Sequence, residues 1–490
     1  MLFNSAIFVL GFLPVAVGGF FLLGRLGGAR WGLLWLVAAS LFFYGWWNPP
    51  FVLLLAGSIV GNYAVGQRIL LRARGGRMRA ARLWLIGGIG ADLLLLGWFK
   101  YAGFVAGSLA WAVGRDPPAL HVFLPLAISF FTFQQIMFLV DSYRQERPDA
   151  GWLPYAAFVA FFPHLIAGPI VRPREIIPQL TSRLLARPLE ANLAVGLTIF
   201  LLGLAKKLVL ADTFARFSDV GFDAAAHGAA LTFFEAWYAA LAYALQIYFD
   251  FSGYSDMAIG LARMLNVQFP LNFNSPYQAR DIADFWRRWH ITLSSFLRDY
   301  VYIPLGGNRH GEARRYVNLM LTMLLGGLWH GAAWSFVVWG GLHGSFLMIH
   351  AAWRRVGFAL PRVLSQPLTL LAVVLAWVVF RADGLGAASQ MLRGMAGLNG
   401  VALPQMIVGW LHFPGITPVV LLPHLSDART LSFPEVSACL LLGWIIVLAL
   451  PHVHQLSDRM RGWALTAGFA FTVQALFFAP SATPFLYFRF

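Results

Sequence analysis

DFWRRWHITLSSFLRDYVYIPLGGNRHGEARRYVNLMLTMLLGGLWHGAAWSFVVWGGLHGSF, residues 284–346, opens charged and Trp-rich and runs straight into a long apolar stretch. The apolar part carries His330, with Gly326, Gly327 and Gly331 around it. An ionisable side chain in so apolar a segment is costly, and it marks a functional site unless a neighbouring helix merely hydrogen-bonds it. If 284–299 is one helix, Asp284 and Arg288 form an i,i+4 pair, and Arg287, His290, Ser294 and Arg298 line one stripe. Phe285, Trp289, Leu293 and Phe296 line another, so the expected element is amphipathic, lying on an interface or walling a cavity. PLGGNRHGEARR (304–315) reads as a tight turn on the cytoplasmic side. His330 and His343 are thirteen residues apart, which on one straight helix is about 220° of rotation and about 20 Å of rise. They are then not a metal pair of the i,i+4 kind, and only a break at Gly340-Gly341 alters that.

The wider composition supports a membrane setting. The 490 residues are 59% hydrophobic and 12% charged, against roughly a quarter charged in soluble domains. The expected class is an all-α polytopic membrane protein, residues 1–490 forming a single integral-membrane domain. The net charge of +15 is accounted for by Lys and Arg collecting in cytoplasmic loops, and no nucleic-acid motif accompanies it. The single cysteine, Cys439, lies in the apolar run VSACLLLGW; it excludes an intrachain disulfide and reads as packing. No Walker motif is present, which argues against ATP hydrolysis.

Residues 2–23, 31–47 and 51–70 read as spans, separated by the WNPP break at 47–50. The N-terminus has no basic residue before Arg25 and reads as a retained first span. QRILLRARGGRMRAARL then places Arg68, Arg72, Arg74, Arg77, Arg79 and Arg82 together without an acid, the pattern of a cytoplasmic loop. Counting back puts the N-terminus outside, with Arg25 and Arg30 inside. Residues 83–99 return, Phe99-Lys100-Tyr101 marks an interface, and 120–140 cross again toward Arg144 and Arg147. Between Pro163 and Pro173 the chain has the Pro and Gly density of a re-entrant or broken helix, and His164 is expected to bond its freed backbone groups. Residues 190–210 read as a span ending near Lys206-Lys207. In 233–265, Asp250, Tyr254 and Asp256 sit among apolar residues; Asp250 and Tyr254 share a helix face, Gly253 is a candidate break, and the carboxylates need a cationic partner. Further spans are expected near 367–381, 404–422, 436–451 and 463–480.

Several of these stretches resemble one family. LFNSAIFVLGFLPV at the start, FVAFFPHLIAGPI, residues 247–260, DFWRRWHITLSSFLRDYVYIPLGGN, LTMLLGGLWHG and the terminal PFLYFRF together are similar to the membrane-bound O-acyltransferases, within the bacterial branch that contains the alginate O-acetylation membrane protein. The resemblance covers nearly the whole chain. The motif positions show no departure; the basic Arg489 stands where the family's pattern is polar, which bears on nothing catalytic.

The resemblance implies roughly 11 transmembrane helices plus re-entrant segments, forming a ring around a thin central tunnel. It implies that His330 is the essential histidine and His290 the second histidine of the bacterial branch. Trp329, Arg287, Ser294, Asp250 and Tyr254 are expected to contact substrate. The implied activity takes an acyl group, with acetyl expected, from a cytoplasmic thioester such as acetyl-CoA to a hydroxyl acceptor at the periplasmic side of a bacterial inner membrane. No bound cofactor or metal is implied. Periplasmic acetyltransferase partners, a polysaccharide acceptor and membrane lipids are the expected associates. His330 would act as general base and His290 would orient the acceptor or stabilise the oxyanion; a covalent acyl-histidine is an open alternative. The main rival is a transporter or flippase for a lipid-linked sugar, since broken helices and intramembrane charges mark those too, although no internal repeat is visible. A scaffold for periplasmic enzymes is the third option.

Overall fold

The computed structural model describes residues 1–116, 118, 120, 122–147, 151–402, 433–455, 469 and 483–486. The expected spans 404–422 and 463–480, and Arg489, lie outside the described residues. Every regular element among the described residues is helical. The chain divides into two compact units. One comprises Met1–Leu204, Tyr254–Asn272 and Ala464–Pro484, and the other Ala205–Gly253, Phe273–Trp463 and Phe485–Phe490.

The first unit is built from α1 (Leu13–Gly27), α2 (Ala29–Gly45), α3 (Pro50–Arg74), α4 (Met78–Leu96), α5 (Ala102–Ala112), α6 (Ile128–Arg144), α7 (Trp152–Ala160), α8 (Phe162–Leu165), α9 (Pro173–Leu180) and α10 (Glu190–Ala205). The break at WNPP is real: α2 stops at Gly45, and α3 starts with proline at its first position, where no amide is needed. The arginine-rich stretch is not a loop. α3 runs to Arg74 and α4 begins at Met78, so only residues 75–77 turn, with Gly76 at φ +73°. Arg72 and Arg74 lie in the last turn of α3, where cations complement the helix dipole. Nor does the next helix end at Lys100. A π-turn over Gly97–Tyr101 carries it on into α5, and the Lys100 ammonium donates to Ser129 Oγ at 3.3 Å. The Pro/Gly stretch is a broken helix as expected: α7, α8 and α9 are short, and residues 155–171 are all buried. His164 bonds a side chain there, its Nδ1 lying 2.8 Å from Gln134 Nε2. A buried network that the sequence did not reveal joins α3, α4 and α6: Asn62 Nδ2 donates to Asp92 at 2.8 Å and to Gln135 at 2.9 Å.

The second unit contains α11 (Asp212–Ala226), most of α12 (Phe233–Met264), α13 (Ile282–Arg288), α14 (Ile291–Leu297), α15 (Gly311–His330), α16 (Trp334–Val356), α17 (Arg362–Arg381), α18 (Gly384–Met395) and α19 (Phe433–Ala449). The expected stop at Lys206-Lys207 is a π-turn, Lys206–Ala211, through which α10 continues into α11. Gly253 does not break α12, which runs through it as regular helix. Cys439 is half-buried against the aromatic core of this unit, in keeping with a packing role.

Among the described residues, five helical stretches are long and apolar enough to cross a membrane: Ile7–Gly27, Pro50–Arg74, Met78–Ala112, Glu190–Ala226 and Arg362–Arg381. Ala29–Gly45 and Glu435–Ala449 are shorter apolar helices. Exposed Leu53, Leu94 and Leu26, each at least 75% accessible, stud the outside of these helices, as lipid-facing positions would.

Candidate active site

The expected helix over 284–299 is two helices. Asp281 caps α13 by accepting the Asp284 amide at 2.7 Å. The helix then stops because Trp289 is extended and His290 sits at φ +44°, ψ +52°, in the left-handed region. A non-glycine residue there costs on the order of 1–3 kcal/mol, and such strain clusters at functional sites. Its effect is to detach His290 from both helices and turn its ring inward, where it is fully buried against Phe251, with ring centroids 4.7 Å apart.

The apolar half breaks as well, and not at Gly340-Gly341. α15 ends on His330, Gly331 and Ala333 are extended, and α16 starts at Trp334. The two helices form a hairpin whose closest approach is made by glycines. A Cβ on Gly327 would lie 2.2 Å from the Phe336 carbonyl, and one on Gly340 would lie 2.4 Å from the Met323 carbonyl. Gly331 also serves packing, since a Cβ there would meet the Phe336 ring at 2.1 Å.

The two breaks bring the two histidines together. The His290 and His330 rings lie 6.4 Å apart in an edge-to-face arrangement. Trp329, Trp339 and Phe380 surround His330 at 4.9, 5.2 and 5.3 Å. Trp339 and Phe380 were not singled out in the sequence: Trp339 reads as one more apolar position of α16, and nothing local relates Phe380 on α17 to the hairpin. The hairpin also overturns the separation expected of His343. Its ring lies 4.7 Å from the same Trp339 indole, boxed further by Trp286 at 5.1 Å and by Phe285. Neither ring nitrogen of His343 has a hydrogen-bond partner among the described residues.

The remaining expected site residues divide. Trp329 is buried and touches both histidines, lying 6.1 Å from His290. Arg287 does not share a stripe with His290, because the break rotates it away; it is 66% exposed and lies 3.6 Å from Asp284. Arg288 makes the expected pair with Asp284 at 3.0 Å. Ser294 is half-buried, and its hydroxyl donates to the Trp289 carbonyl at 3.4 Å across the break. Asp250 is buried and accepts from Lys207 Nζ at 2.8 Å and from the Leu486 amide at 3.0 Å. Lys207 also donates to Asp212 at 2.7 Å, and Phe485 caps its ammonium at 5.0 Å. The cationic partner demanded for Asp250 is thus Lys207, delivered inward by the π-turn; a lysine inside an apparent span was the signal that could have found it. Tyr254 is buried and stacks on Phe3 at 4.9 Å. Asp256 is buried too.

Apolar helices long enough to cross a membrane and two buried imidazoles at helix breaks describe a multi-pass membrane protein with a polar site in its interior. Residues 141–380 match the model of the membrane-bound O-acyltransferase family, MBOAT. The chain is 42% identical to a peptidoglycan O-acetyltransferase of Helicobacter pylori, over 100% of this chain and 98% of that one. It is 47% identical to a probable alginate O-acetylase, AlgI, of Pseudomonas aeruginosa, over 81% of this chain and 75% of the relative. A teichoic acid D-alanyltransferase of Bacillus subtilis matches at 26% over 51% of this chain and 65% of its own length. The chain belongs to the membrane-bound O-acyltransferase family and is an O-acyltransferase.

Proposed function

We propose that this enzyme moves an acetyl group from a cytoplasmic thioester such as acetyl-CoA to a hydroxyl acceptor at the periplasmic face, for O-acetylation of an exported cell-envelope polysaccharide. The observation that carries the reading is the meeting of His290 and His330 at 6.4 Å, buried at two helix breaks and walled by aromatic rings. A neutral imidazole in that setting is suited to take a hydroxyl proton. His330 removes the acceptor's proton as its oxygen attacks the thioester carbonyl. The tetrahedral oxyanion collapses, the C–S bond breaks, the thiolate leaves, and the proton on His330 passes to it. His290 holds the acceptor or donates to the oxyanion. Trp329, in contact with both histidines, packs against the reacting groups.

The acceptor class follows relatives named for peptidoglycan and alginate acetylation. The same reading takes residues 1–490 as one integral-membrane domain of about eleven spans around a tunnel, in a bacterial inner membrane with the N-terminus outside. Periplasmic acetyltransferase partners complete delivery. Arg287 and Asp250 are then supports, holding Asp284 and Lys207, and Ser294 and Tyr254 pack near the substrate path.

The test is acetyl transfer by purified, detergent-solubilised protein from radiolabelled acetyl-CoA to a soluble glycan acceptor. Labelled product is expected without any gradient. A protein that binds both substrates yet forms no product unless it separates two compartments would be a transporter, and the proposal would fail.

A further inference from the structure

The second unit holds a well-formed cavity whose lining includes none of the three histidines of the candidate site. About 760 Å³ opens between the C-terminal turns of α16, the start of α17 and the segment leading into α13. That volume lies within the roughly 300–1,000 Å³ typical of small-molecule sites. Much of its lining is apolar: Ile282, Phe346, Ala372, Trp353, Phe358 and Leu368. Ile349, Phe358 and Leu368 along it are 64%, 59% and 57% exposed, so one side is open and greasy. The loop that closes it is braced, since Trp353 Nε1 donates to the Phe358 carbonyl at 2.9 Å and Gly357 turns the chain at φ +75°.

The charge on this cavity is one-sided. Arg280, Arg354 and Arg362 line it, and no carboxylate pairs with any of their side chains among the described residues. The neighbouring Arg355 differs: it is bound to Glu312. Arg362 only donates to the neutral Gln366 at 3.3 Å. The one carboxylate present, Asp281, is occupied as the cap of α13 and lies 3.7 Å from His350 Nε2. Three arginines without counter-ions over an apolar, laterally open trough match a ligand with a phosphate at one end and hydrocarbon at the other.

We propose that this cavity binds an anionic membrane phospholipid, its phosphate among Arg280, Arg354 and Arg362 and the start of one acyl chain along Phe346, Ile349 and Leu368. Charge complementarity decides for an anionic headgroup, and the open apolar side decides for an attached chain over a soluble nucleotide. The lipid would brace the ends of α16 and α17, the helices that supply Trp339 and Phe380 to the histidine box.

The experiment uses the full-length protein in detergent with brominated phosphatidylglycerol and brominated phosphatidylcholine as quenchers of tryptophan fluorescence. The Trp353 component is isolated by difference from Trp353→Phe. Brominated phosphatidylglycerol should quench it at about tenfold lower concentration than the choline lipid, and Arg354→Ala should weaken the anionic lipid about fivefold and leave the choline lipid unchanged, since each basic side chain near an anionic headgroup contributes on the order of 1 kcal/mol. Arg280→Ala is the second variant should Arg354→Ala melt early. Equal quenching by both lipids would overturn the proposal, as would wild-type affinity for phosphatidylglycerol in both folded variants. Displacement of the lipid by coenzyme A alone would overturn it too, assigning the cavity to a soluble phosphate compound.

Discussion

Two buried polar centres lie within the second unit, and they are built on opposite principles. At the π-turn, Lys207 meets Asp212 and Asp250 at 2.7 and 2.8 Å, the second Asp250 oxygen takes the Leu486 amide, and a phenylalanine ring covers the cation. Charge is matched by charge within hydrogen-bond distance, as it must be where water is excluded. At the helix breaks His290 and His330 are walled by rings, and His343, inside α16, packs on the same Trp339. Phe251, next in the chain to Asp250, packs its ring on His290 at 4.7 Å. Each polar group of the first centre is held by a fixed partner inside the protein. Aromatic enclosure surrounds the imidazoles with rings in place of fixed counter-charges. A buried polar residue is therefore structural or chemical according to what satisfies it.

That contrast can be broken most sharply at His330. His330→Gln should lower acetyl transfer by about 10²–10⁴ while leaving the melting temperature near wild type, because a general base is worth that much and a membrane helix–helix hydrogen bond only about 0.6 kcal/mol. Near-wild-type turnover per folded molecule would end the mechanism proposed here.

The ion cluster should fail in the opposite way. Asp250→Ala leaves Lys207 with one carboxylate in a buried site and should destabilise by roughly 3–5 kcal/mol, with activity falling only as folded protein is lost. A paired change, Lys207→Met with Asp250→Leu, should recover much of the stability. The check is the melting temperature beside activity normalised to folded protein; a stable Asp250→Ala that is inactive would move Asp250 into the chemistry.

Next in size is the hairpin crossing. Gly340→Ala drives a methyl group into the Met323 carbonyl and should cost on the order of 1–3 kcal/mol, with the histidines' spacing disturbed. Both stability and turnover should drop, a signature distinct from the two above.

The smallest effects separate the flanking histidines. His290→Ala should reduce turnover less than His330→Gln, and His290→Asn should restore part of it, since an amide still hydrogen-bonds but cannot serve as a base. His343→Phe keeps the ring packing around Trp339 and removes both nitrogens. It should leave turnover within about threefold, the scale of a packing change under 1 kcal/mol. A larger loss would show that the third imidazole takes part.

Much of this protein was legible before any coordinate. Apolar runs longer than a bilayer is thick, the WNPP break and the Pro/Gly density before Pro173 are local facts, and helices answer to local facts. The need of Asp250 for a cation followed from desolvation alone. The left-handed residue at His290 was not legible, because a histidine reads as helix-compatible and only tertiary packing holds it in a strained conformation. The turn at Gly331–Ala333 was missed for a related reason: periodicity carries on through it, and only the glycine contact between Gly327 and Gly340 makes a hairpin of it. The π-turns are of the same kind, since one extra residue in a helix leaves no compositional mark yet decides whether Lys207 points at lipid or at Asp250. The sequence by itself determined a helical membrane protein, its family resemblance and which histidines to watch, because hydropathy and residue chemistry are properties of short stretches. Tertiary structure alone decided that His290, His330 and His343 share one aromatic enclosure, because the distances between them depend on chain breaks and close helix crossings that long-range packing stabilises.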